Sequence, residues 1–196
     1  MNKLDAVNAV LRRIGLTPVA ALDTTGTSVQ AQAERYLDDA DRSCQARGWH
    51  FNTRINVTLT RNVSNKIAVP ANTYRIDTCD IDADKDVTVV GGYLFDIENN
   101  TDVWTQNLNV SYVAKADFTD LPQTFADYII SEAAYMFNRA HKKDKDLDPL
   151  LRAEVERRFF EARREDNDRA DINVLNTTDM AQVRGRTSRA WYRNVY

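Results

Sequence analysis

The chain has 196 residues, 43% of them hydrophobic and 28% charged, with a net charge of −3. This describes one large folded domain or two small ones. No run of about 18 apolar residues is present to cross a membrane, and the opening Met1-Asn2-Lys3-Leu4-Asp5 lacks the apolar stretch of a secretory signal.

Leu4, Val7, Leu11 and Ile14 fall on one helical face, with Gly15 as the stop. A loop through Pro18 and Gly26 leads to Ser28, which suits the N-cap of a second helix running to about Arg47. Its stripe is Val29, Ala33, Tyr36, Leu37, Ala40 and Cys44, and Gly48 suits the residue just past its end. Residues 49–117 read as β. Ile55, Val57 and Leu59 alternate with polar residues in a pattern that begins at Trp49. Tyr74 and Ile76 mark a second strand, with Pro70 at a strand start or edge. Gly91-Gly92 between two apolar runs reads as a hairpin turn, and Leu108, Val110 and Tyr112 give the last strand.

Helical spacing returns after Pro122, with Phe125, Tyr128, Ile129, Met136 and Phe137 largely on one face. Residues 142–146 read as a polar turn. Asp148-Pro149 then opens a charged helix with Glu154/Arg158 and Glu165/Arg169 at i,i+4 and a narrow seam of Leu151, Val155 and Phe159. The predicted fold class is therefore α+β. A four-helix bundle (residues 1–47 and 118–172) carries an inserted antiparallel β domain (residues 48–117), and an extended C-terminal tail follows (residues 173–196).

Catalytic and metal motifs are weak. Asp80, Asp82 and Asp84 match the first ligands of a calcium loop, but Lys85 and Gly91 replace the glycine and glutamate such a loop needs. Asp144, Asp146 and Asp148 fail likewise, so both runs read as solvated acidic loops. The two histidines, His50 and His141, belong to no catalytic pattern, and nothing singles out a carboxylate pair for glycoside hydrolysis. Cys44 and Cys79 lie outside any Cys-x-x-Cys spacing and read as free thiols. Five Asn-x-Ser/Thr sequons, at Asn56, Asn62, Asn99, Asn109 and Asn176, read as chance occurrences.

Charge is uneven. Residues 173–196 carry Arg184, Arg186, Arg189 and Arg193 against Asp179, or +3, so residues 1–172 carry −6. Arg, Trp and Tyr are the residues that dominate interface hot spots, and Trp191, Tyr192 and Tyr196 accompany these arginines. Three readings stand: a docking arm for an acidic partner, a disordered terminus, and a weak nucleic-acid contact.

The chain resembles the tail tubular protein A family of T7-like short-tailed bacteriophages. The resemblance runs through Arg13-Ile14-Gly15-Leu16-Thr17-Pro18-Val19 and, most specifically, Gln45-Ala-Arg-Gly-Trp-His-Phe-Asn52. It continues through Val69-Pro70-Ala-Asn-Thr-Tyr-Arg75, Gly92-Tyr-Leu-Phe-Asp-Ile97 and the helix from Leu121-Pro122 to Phe137-Asn138. It implies a structural virion protein without catalysis or cofactor. The expected role is a head-to-tail adaptor that forms a twelve-subunit ring between the portal protein and the nozzle, tail tubular protein B, around the DNA exit channel. Its place would be the virion tail, and the host cytoplasm during assembly. The segment from Arg184 to Tyr196 would dock the portal, with the subunit assembling on that template, and Gly48, Trp49 and Phe51 would join bundle to β domain. The rival readings are a tail-associated glycan hydrolase and a nucleic-acid-binding protein acting through the basic tail.

Overall fold

The computed structural model describes residues 1–23, 26 and 28–169. The expected docking arm (residues 173–196) and residues 170–172, expected to close the last helix, lie outside them. The described chain is α+β, with four long helices and two small antiparallel sheets.

Helix α1 (Lys3–Arg13) is capped by Asn2, whose side chain accepts the Asp5 N–H, and it buries Ala6, Val7, Val10 and Leu11. Helix α2 (Val29–Gln45) is capped by Ser28. Its buried stripe includes Ala33, Leu37, Ala40 and Cys44, but Val29 is exposed and the polar Asp41 and Gln45 are buried. Lys3 ties α1 to α2 through Glu34 and Asp38 at 2.8 and 2.9 Å. Arg13 ties α1 to helix α3 (Gln123–Phe137), donating to Ser131 Oγ at 2.7 Å.

Helix α3 contacts α1, α2 and helix α4 (Asp148–Arg169), and it buries residues on several sides, from Phe125 and Tyr128 to Ala134 and Phe137. Asn138–Lys142 forms one π-helical turn, and Lys143 follows at φ 54°. Helix α4 buries only Leu151 and Ala162 fully, with Val155 and Phe159 packed alongside. Both expected i,i+4 ion pairs of α4 form, Glu154 with Arg158 and Glu165 with Arg169. One apolar core draws on all four helices.

The first sheet has the order β1-β5-β2, from β1 (Thr53–Leu59), β2 (Thr73–Thr78) and β5 (Leu108–Ala114). The second is the hairpin of β3 (Val87–Val90) and β4 (Tyr93–Asp96). Its turn is Gly91-Gly92 at φ 59° and 82°, as the glycine pair predicts, because a tight hairpin needs positive φ at both positions. The sheets share a second core of Ile67, Leu94, Trp104, Leu108 and Val110. There the Trp104 indole N–H donates to Leu94 O at 3.1 Å.

Three readings of the β segment need correction. The strand starts at Thr53, not Trp49; residues 49–52 form a turn in which Thr53 N–H donates to Trp49 O at 2.9 Å. Ile55 is 72% exposed rather than inward, because pairing with β5 shifts between Arg54 and Val57, and Asn56 takes φ 55°. A bulge there breaks the period of two. Asp82 is not a solvated acid. It is 1% exposed, and its carboxylate accepts from Lys85 Nζ, Gln106 Nε2 and Asn109 N–H at 2.9, 2.7 and 2.9 Å. Among the described residues no group of acids, histidines and cysteines is placed to hold a metal ion.

Candidate functional site

The chain leaves α2, enters the β segment and returns to α3 through one small region. Gly48 turns the chain at φ 81°. A Cβ there would lie 3.0 Å from Val113 Cγ2 and 3.4 Å from an Arg75 guanidinium nitrogen. The backbone angle therefore favours glycine, and the close approach of β5 leaves a Cβ little room.

Beyond Gly48, Trp49 is 6% exposed and belongs to the helical core. Its indole N–H donates to Cys44 O at 2.8 Å, satisfying a carbonyl at the end of α2 that has no helical donor. Its ring packs against Phe125 at a centroid distance of 4.8 Å, with Phe159 and Tyr128 at 6.1 and 6.3 Å. Phe51 lies 4.9 Å from Phe125 on the same side. His50, between them, is exposed, and its backbone N–H donates to Asp166 of α4 at 2.8 Å.

Two amides fix the chain on either side of the β segment. Asn52 Nδ2 donates to Gln45 O at 3.0 Å, and Asn52 Oδ1 accepts the Trp49 N–H at 2.8 Å. On the return path the side chain of Gln45 meets the backbone of Ala116. Nε2 donates to Ala116 O at 3.0 Å, and Oε1 accepts the Ala116 N–H at 2.8 Å. The same Nε2 reaches Asp41 Oδ1 at 2.8 Å, and Lys115 Nζ lies 3.6 Å from the other Asp41 oxygen. Burial pushes the Asp41 carboxyl up, opposed by Gln45 and Lys115. Burial also pushes the Cys44 thiol up to about 11 and raises the Tyr128 phenol.

Of the residues singled out in the sequence, Gly48, Trp49 and Phe51 thus lie together at the C-terminal end of α2. Arg184, Arg186, Arg189, Trp191, Tyr192, Arg193 and Tyr196 lie outside the described residues. The hydrogen bonds of Gln45, Asn52, Asp41 and Ala116 are not among the sequence expectations. The signal for Gln45 was available: it falls in register with Leu37 and Asp41 on the buried stripe of α2, where an unpaired polar group would be expensive.

These interactions bind the chain to itself and tie the β segment to the helices of an α+β protein. A family model described as tail tubular protein matches residues 4–172. The chain therefore belongs to the tail tubular protein family and is a structural component of the phage tail. No curated protein matches it.

Proposed function

We propose that this protein is the head-to-tail adaptor subunit, assembling as a twelve-membered ring that joins the portal protein to the nozzle and encloses the DNA exit channel. In this reading the four helices are a bundle and residues 48–117 an inserted β domain, so that one layer of the ring meets the portal and the other the nozzle. Gly48, Trp49 and Phe51 are the joint between the layers, and Arg184 to Tyr196 is the arm that grips the portal.

The observation that carries this reading is the double tie of the β segment to α2. Asn52 bonds Gln45 O on one side, and the Gln45 amide bonds Ala116 on the other. A subunit that joins two partners must keep its two parts at a constant angle, and buried, satisfied polar contacts give that rigidity. Ring closure by rotation needs the same constancy, since a heterologous interface repeated at a variable angle does not close.

The test is to mix the purified protein with its cognate portal and image the product. A ring seated on the portal is expected; its absence sinks the adaptor reading. A chain ending near Asp179 should keep its helix content and lose portal binding. Retained affinity after that truncation would overturn the docking arm alone.

A further inference from the structure

Residues 139–145 read Arg-Ala-His-Lys-Lys-Asp-Lys, four cations and one acid in a chain of net charge −3. They form the turn between α3 and α4. The ordinary task of cations at helix ends is to answer free carbonyls. Lys142 performs it, donating to Ile14 O at the end of α1 at 2.6 Å and lying 3.6 Å from the Asp144 carboxylate. Lys143 and Lys145 do neither. Both are exposed, and their ammonium groups have no partner among the described residues.

Arg139, Lys143, Lys145 and Arg152 line one open cavity of about 400 Å³. Two acids share its wall. The Asp144 carboxylate is turned to the backbone, accepting the N–H groups of Asp146 and Leu147 at 3.1 Å each. Asp148 occupies the first turn of α4, where the helix dipole offsets its charge. The wall carries no aromatic ring and no large aliphatic side chain. Protein hot spots are built around such anchors. Point charges on flexible stems, without an anchor, match the regularly spaced phosphates of a nucleic-acid backbone instead.

We propose that the turn between α3 and α4 is a contact surface for the phosphate backbone of duplex DNA, with Lys143 and Lys145 as its free charges. The proposal rests on the adaptor reading for the source of the DNA, and it gives this turn a place facing the channel. The contact itself is a property of the isolated chain.

The full-length protein is titrated onto a short fluorescent duplex over a salt series. It is compared with a Lys143→Asn, Lys145→Gln double variant and with a tail variant in which Arg184, Arg186, Arg189 and Arg193 are all Gln. Asparagine tolerates the φ of 54° at position 143, and neither lysine ammonium bonds the fold, so melting should not change. Each lost phosphate contact should flatten the plot of log affinity against log salt by about 0.9, so the lysine pair should remove about 2 from the slope. The double variant should also bind several-fold more weakly at low salt. An unchanged slope overturns the proposal, as does the disappearance of all DNA affinity in the tail variant, or no binding by the wild type at about 50 mM salt. If the lysine variant failed to assemble on the portal while its DNA slope stayed that of the wild type, the surface would serve a protein, and the proposal would fall. Ring formation by the wild-type protein on the portal is scored separately, so the adaptor reading stands or fails on its own result.

Discussion

The side-chain amide of Gln45 and the backbone of Ala116 form a reciprocal pair, donating at 3.0 Å and accepting at 2.8 Å across 71 positions of sequence. A helix side chain here does what a neighbouring strand would do, satisfying both backbone groups just beyond β5. Asn8 uses the same device on Val19, at 2.9 and 2.7 Å, to hold the loop after α1.

Replacing Gln45 with Ala should therefore do more than remove a side chain. It leaves the Ala116 N–H and carbonyl short of partners and takes a donor from Asp41. Each buried group left unsatisfied costs about 1–3 kcal/mol, so a loss of about 3 kcal/mol is expected in urea unfolding. Gln45→Glu should not rescue the protein at neutral pH, because it keeps the acceptor but sets a second carboxylate beside Asp41. An unfolding midpoint within error of the wild type for either variant would remove the amide pair from the account of stability.

Gly48 and Gly91 separate two effects that glycine substitution usually mixes. Both have positive φ, at 81° and 59°, but a Cβ at 48 meets Val113 Cγ2 at 3.0 Å while one at 91 meets nothing within 4 Å. Gly91→Ala should lose about 1–2 kcal/mol, the cost of a left-handed residue. Gly48→Ala should lose that and a further 1 kcal/mol or so from crowding against β5. Equal losses, measured side by side by chemical denaturation, would mean that the close approach at Gly48 relaxes freely.

The elements legible in the sequence were those whose signal is local. Ser28, Gly48, the Gly91-Gly92 turn and the apolar faces of α1 and α2 follow from caps, turn chemistry and spacing. What could not be read depends on partners distant in sequence. Ile55 belongs to an alternating run, but the bulge at Asn56 is decided by pairing with β5, more than 50 residues on. Trp49 and Phe51 looked like alternate strand residues because a turn can also direct two aromatics to one side. Asp82 looked like one acid among several until Gln106 and Asn109 came to it from the next part of the chain. The burial of Gln45 follows from its place on the α2 stripe, but its partner Ala116 does not, since no local pattern marks which remote backbone a side chain bonds.

Asp82 gives the fold a dependence on acid. Burial alone would raise its carboxyl above the ordinary 3.8; the Asn109 N–H, Lys85 and Gln106 outweigh burial and hold it lower. A group with a depressed folded value stabilises the fold above its unfolded value and loses that contribution as pH falls through the folded one. Asp82→Asn should accordingly be less stable than wild type at pH 7, and the gap should close below about pH 4. Thermal melts of the two proteins across that range test it; a gap independent of pH would assign the loss to packing or geometry rather than to the charge.

Cys44 reports on whether the helical core opens. Its side chain is fully buried against α3, and burial pushes its thiol up to about 11. Only the thiolate is a good nucleophile, so at pH 8 the group is protected twice, by access and by protonation. Cys79 is half-buried, outside the helical core. Mass spectrometry after alkylation at pH 8 should show Cys79 modified first and Cys44 modified only once urea unfolds the chain. Trp49→Ala, which removes the ring beside Phe125 and leaves Cys44 O without its indole donor, should cost about 3–5 kcal/mol. It should expose Cys44 to reagent well below the wild-type urea midpoint. If Cys44 in that variant stayed as slow as in the wild type, Trp49 would be a passenger on the helical core rather than part of what closes it.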